Sequence, residues 1–156
     1  MVVGPLSGRA VGRFGARAPL VLGGAAIALS ALMLTGVTPG TSHGLLVVAY
    51  VIFGVGFGAV NPPITNTAVS GMPPAQAGVA AAIASTSRQV GASLGIAIIG
   101  AVAVSGATSP RALAAAGHVG WWIIAGGGLL VALLGAVTTS SWALGTAAAL
   151  GDIDAA

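Results

Sequence analysis

The chain has 156 residues, 56% of them hydrophobic and 4% charged, with a formal charge of +3 and no cysteine. An ordinary soluble domain carries roughly 25% charged residues, and so short a chain has too much surface to stay in water without polar cover; a lipid bilayer is its simplest solvent. Disulfides, thiolate metal sites and cysteine nucleophiles are excluded, and so is nucleic-acid binding, because the high pI reflects scarce acids and not a basic face.

The first element, residues 1–17, is expected to be a cytoplasmic segment made of the end of a preceding helix and a loop. Its stretch GRAVGRFGAR, residues 8 to 17, holds three of the five basic residues, all arginine. Residues 18 to 87 then carry no charged side chain. A hydrocarbon core of about 30 Å needs roughly 20 apolar residues of helix, and four stretches within 18–139 qualify. The first, 18–37, ends at the turn TPGTSHG. Arginine ahead of an apolar run is also how a secretory signal begins, but no A-x-A pattern follows Leu34 and three more spans come later, so a retained helix is expected. The second, 45–66, has room to continue to Val69; Pro62 and Pro63 each remove a backbone donor, so a kink or an early end is expected near Gly58. The third is 79–105, ahead of which Pro74 suits the first position of a helix. The fourth is 119–139, and residues 140–156 form a tail. Pro39, Gly40, Pro73 and Pro110 punctuate the linkers.

Cytoplasmic loops are enriched in Arg and Lys. Arg9, Arg13 and Arg17 therefore place the N-terminus in the cytoplasm, and four spans return the C-terminus to the same side. The external loops then hold one basic residue, Arg111, and His43 and His118 fall in external turns open to water. Trp121 and Trp122 open the fourth span, and Trp142 follows its inner end, as an aromatic belt requires. The preference for Ala, Gly and Arg over Lys suits a GC-rich bacterial gene, so the expected location is a bacterial plasma membrane, crossed several times.

Chemistry-bearing residues are few. At the helical 100° per residue, Tyr50, Phe53, Phe57, Asn61 and Ile64 fall within a sector of about 80°. Such an aromatic stripe ending in an amide can line a cavity for a bulky amphipathic or cationic molecule; it can equally face lipid or another helix. Asn61 needs a hydrogen-bond partner if it lies in hydrocarbon. The stretch GVGFG lacks the spacing and the preceding strand of a nucleotide loop. Gly54 with Gly58, and Gly91 with Gly95, instead have the small-xxx-small spacing that lets helices approach closely in lipid. Arg88, beside Gln89, is the one charge within a span. It is a snorkelling anchor if the hydrocarbon begins near Thr86, or a functional charge roughly 15 Å deep if it begins at Val79. Both acids, Asp152 and Asp154, lie in the tail. Without a carboxylate pair, a nucleophile–base set or a metal-ligand cluster, no catalytic residue, metal or cofactor is expected.

GRAVGRFGAR resembles the G-x-L-a-D-R-x-G-R-R loop of the major facilitator superfamily, with Gly8, Arg9, Arg13, Phe14, Gly15 and Arg17 at matching positions. Gly12 stands where the family has its Asp, and Ala16 where it often has a base, as in the degraded copy that the second half of these transporters carries. That departure removes the Asp–Arg contact by which the family loop steadies one conformation; a plain topology-setting arginine cluster is the other reading. Residues 53 to 102 look like the penultimate stretch of the fourteen-span drug/proton antiporter branch, the match resting on Gly78, Arg88, Gln89, Gly91, Gly95 and Ala97.

The resemblance implies an all-α membrane protein whose four transmembrane helices are a partial C-terminal bundle of a major facilitator fold, beginning at the inner end of the tenth of fourteen helices. Its partners would be the lipid bilayer, the missing N-terminal helices of the same transporter, an amphipathic or cationic small molecule, and protons as the coupling ion. The second span would line the central cavity. No span holds an acid, so the proton carrier would lie outside this chain, which alone would not transport. The alternative is a self-contained four-helix membrane protein that binds a partner and transports nothing; a small four-span exporter would need a membrane Glu that is lacking here.

Overall fold

In the computed structural model, residues 3–38, 40–69, 74–105 and 110–138 are described, and among them only helices and turns occur. The order is α1 (Val3–Phe14), α2 (Arg17–Thr35), α3 (His43–Val69), α4 (Pro74–Ser105) and α5 (Pro110–Thr138). The last four are long and apolar enough to cross a membrane. α1 has 12 residues, about 18 Å at the helical rise, and is too short to cross.

Residues 8 to 14, read as loop in the sequence, are helical. The break is confined to Gly15 and Ala16. Gly15 adopts φ 78°, its N–H reaches Val11 O at 2.9 Å, and this left-handed turn closes α1. Gly8 and Gly12 each weaken a helix by about 1 kcal/mol relative to Ala, but α1 packs along α3, and that contact holds the turn in place. α5 likewise opens at Pro110 and not at 119. A proline is pre-set for the first helical position, and the alanine-rich residues 112–116 carry the helix onward. His118 consequently sits inside α5, half-buried, its Nε2 3.4 Å from Val37 O, and not in an open turn. Trp142 and the two acids lie outside the described residues.

α2 is the central element, held between α3 and α5. Adjacent residues on a helix point about 100° apart, and the doublet Gly23-Gly24 uses this to meet two neighbours at once. A Cβ at Gly24 would stand 2.6 Å from Ala132 N and 2.7 Å from Gly128 O. A Cβ at Gly128 would stand 2.7 Å from Ala28 N, and one at Gly56 2.7 Å from Gly23 O. Backbone therefore lies on backbone at both interfaces. Ser30 is fully buried and donates to Ala49 O at 2.7 Å, joining α2 to α3. The helices alternate in direction: Leu20 lies against Gly135 and His118 against Val37. The start of α2 and the ends of α3 and α5 thus share one end of the bundle, here termed the arginine end.

Three of the four predicted packing glycines lie outside these contacts. A Cβ at Gly54, Gly91 or Gly95 would meet nothing within 4 Å, and Gly58 is half-buried. Small-xxx-small spacing places two residues on one face but does not decide which face meets a neighbour. Gly54 shares the open face of α3 with Tyr50 and Phe57. α4 touches only α3 and α5 among the described helices, and no residue of its spanning window is buried.

These contacts predict opposite outcomes for one substitution at two sites. Gly24→Ala drives a methyl into the α5 backbone and should destabilise the bundle by about 1–3 kcal/mol. Gly91→Ala should be neutral or stabilising by up to ~1 kcal/mol. Thermal unfolding of both variants in the same detergent checks this; equal shifts would show that α2 and α5 do not meet at Gly24.

Candidate functional site

α3 runs unbroken through Pro62 and Pro63 to Val69, so the early end expected near Gly58 does not occur. The prolines still leave the carbonyls of Gly58 and Ala59 without their usual i+4 donors. α1 supplies one replacement: Ser7, 6% exposed, donates its hydroxyl to Ala59 O at 2.6 Å. In hydrocarbon an unmet carbonyl costs far more than in water, and neighbouring hydroxyls are how proline is tolerated in spanning helices. Beyond the prolines, Thr65 and Thr67 donate to Asn61 O at 3.2 Å and Pro63 O at 2.6 Å, covering carbonyls in the last turns of α3.

Past Ser7, α1 and α3 flank a cleft of about 590 Å³. Gly8, Val11 and Gly12 form its α1 wall; Asn61, Pro62, Thr65 and Asn66 form its α3 wall. The two glycines open the space by presenting no side chain. Asn61 donates its amide to Phe57 O at 2.9 Å, which answers its need for a partner. Arg88 reaches across from α4 and donates Nη1 to Thr65 Oγ1 at 2.7 Å. This contact joins α4 to the polar end of α3, and both Arg88 and Gln89 are exposed. There is no Asp or Glu among the described residues.

The predicted stripe is divided. Asn61 joins Gly8 and Gly12 at the cleft. Tyr50 and Phe57 stay on the open face, 56% and 58% exposed. Phe53 is half-buried and stacks on Phe57, with centroids 6.2 Å apart and planes 10° from parallel. Arg9, Arg13 and Arg17 are exposed around the Gly15 turn, with Gly12 on the cleft where the family loop has its Asp. Ser7 and the Gly23-Gly24 doublet went unnoticed in the sequence. The signals available were a proline pair that must find donors elsewhere, and adjacent glycines in an otherwise bulky apolar helix.

A helical bundle with four helices long and apolar enough to cross a membrane defines a polytopic membrane protein. The family model of the Major Facilitator Superfamily matches residues 1–96, and the chain belongs to that superfamily. It is 37% identical over 101 residues to the multidrug resistance protein Stp of Mycobacterium tuberculosis, in strain CDC 1551 / Oshkosh and in strain ATCC 25618 / H37Rv, covering 65% of this chain and 19% of that protein. It is 35% identical over 106 residues to the tetracenomycin C resistance and export protein of Streptomyces glaucescens, covering 67% of this chain and 20% of that protein. The match thus spans about a fifth of the length of these relatives. No solved structure matches the chain.

The link between Ser7 and Pro63 can be isolated. Ser7→Ala should cost about 0.6–1.7 kcal/mol, the range of interhelical hydrogen bonds in membranes. On a Pro63→Ala background, where an N–H returns to position 63 and can serve Ala59 O, the same change should cost less than half as much. Stabilities of the four proteins in detergent complete the cycle, and strict additivity would dissociate Ser7 from the proline.

Proposed function

We propose that the chain is the C-terminal part of a multidrug-type major facilitator exporter of the fourteen-span drug/proton antiporter branch, acting with the N-terminal helices of the same transporter. The observation that carries this reading is the extent of the family match: residues 1–96 include α1, α2, α3 and most of α4, hence the whole cleft and the Arg88–Thr65 contact. The names of the relatives, drug resistance in one and drug export in the other, support the substrate class.

In this reading the arginine end faces the cytoplasm, so both termini lie inside a bacterial plasma membrane. Two helix bundles rock about a site between them, opening it to each side in turn. The open face of α3, with Tyr50 and Phe57, meets an amphipathic or cationic molecule once the other bundle encloses it. Asn61, at the junction of this face and the cleft, offers a polar contact. Arg88 acts as an anchor near the inner boundary, held to Thr65. The proton carrier belongs to the other helices, because the described part of this chain has no carboxylate.

Two measurements test the proposal. Proteoliposomes holding the chain alone should show no proton-linked efflux of ethidium, whereas co-expression with the ten N-terminal helices of a fourteen-span relative should restore it. In that complex Phe57→Ala should lower the efflux rate several-fold. Efflux by the chain alone would overturn the division of labour. Orientation is tested separately: a cysteine in place of Arg17 should react with an impermeant maleimide only after cells are opened, and labelling of intact cells would place the arginine end outside.

A further inference from the structure

We infer that α1, α2 and α3 form a binding site for an anionic phospholipid, with its phosphate on Arg17 and one acyl chain in the crevice beside it. Two cavities carry the argument. One, of about 410 Å³, is lined by Arg17, Ala18, Val21 and Leu22. The other, of about 380 Å³, lies between the three helices, with Leu6, Ala26 and Val55 on its walls. Ala18 and Leu22 line both, so the two cavities adjoin along that ridge of α2, with Arg17 beside one and the apolar crevice beyond it.

The crevice is shaped for hydrocarbon. Its one polar side chain is Ser7, whose hydroxyl is already given to Ala59 O. A solute with polar groups would leave them unmet there; an acyl chain has none. Gly23, Gly56 and Ala59 form its floor, where α2 and α3 lie backbone on backbone. It follows α2 from Ala18 to Ala26, about 12 Å along the axis, against a half-core of about 15 Å. One chain of one leaflet fits that run.

The mouth is shaped for an anion. Arg17 is exposed where the apolar run of α2 begins, which is the level of lipid headgroups. A guanidinium binds phosphate with two parallel hydrogen bonds. Arg13, exposed across the Gly15 turn, adds to the field, and no described carboxylate competes.

The test uses the purified full-length chain in neutral detergent, with dioleoyl phosphatidylglycerol and dioleoyl phosphatidylcholine as probes and native mass spectrometry to count bound lipid. The glycerol headgroup should bind at least about fivefold more tightly, the worth of one basic residue at an anionic surface. Arg17→Gln should remove most of that preference. Arg9→Gln removes the same charge at a residue that lines neither cavity and should leave the preference intact. Leu22→Trp fills the crevice from an exposed position and should weaken both lipids; Ala18→Phe serves if that variant lacks wild-type helicity. Soluble glycerol phosphate should not displace the lipid. Equal affinity of the two lipids, equal losses in the two arginine variants, unchanged binding with the crevice filled, or displacement by glycerol phosphate would each overturn the site.

Discussion

Everything in the bundle depends on how closely α2 can approach its two neighbours. In lipid there is no hydrophobic gain from helices meeting, since the alternative contact is equally apolar; what remains is dispersion and hydrogen bonding at short range. Gly23 and Gly24 make that range available on two sides of one helix, against Gly56 and Gly128. The buried Ser30 hydroxyl on Ala49 O adds a directional contact at the same interface. Without the doublet, α3 and α5 would stand off from α2 by at least a side chain, and the crevice beside Arg17 would lose the floor that Gly23 and Gly56 give it.

A second constraint comes from the prolines. Placing two in one spanning helix opens a gap in the backbone ladder, and Ser7 ties α1 into that gap. The short helix is thus fixed to α3 beside the cleft. Below that point, the glycines of α1 and the amides of α3 face each other across open space. The loss of backbone donors and the opening of a polar cleft are two results of the same stretch of sequence.

The spans and the fold class were legible in the sequence because hydrophobic length is a strong, local signal. α4 starts at Pro74 as a missing N–H suggests. The ends of α1 and α5 were less legible: Gly8 and Gly12 read as loop residues, yet tertiary contact with α3 keeps them helical. The site was legible only by residue type. Asn61 and Arg88 stand out as polar groups in apolar runs, and each has a short contact. Their partners did not stand out, because a threonine or a backbone carbonyl looks ordinary until the fold brings it near. The glycine pairs show the same limit: periodicity gives a face, and only the packed structure says what that face meets, which for Gly54, Gly91 and Gly95 is none of the described helices.

The length of α4 has its own consequence. Its 32 residues extend about 48 Å, against a core of about 30 Å. Even a steep tilt of about 40° accommodates only about 39 Å of helix within that thickness. Several residues must therefore protrude, and the polar composition of the first half points to that end. With Ser105 at the far boundary, Arg88 would enter the hydrocarbon by between about 4.5 and 10.5 Å, short of the midplane. Its contact with Thr65 joins α4 to α3 near that end, so a tilt of α4 that answered a change in bilayer thickness would have to keep or break this one bond.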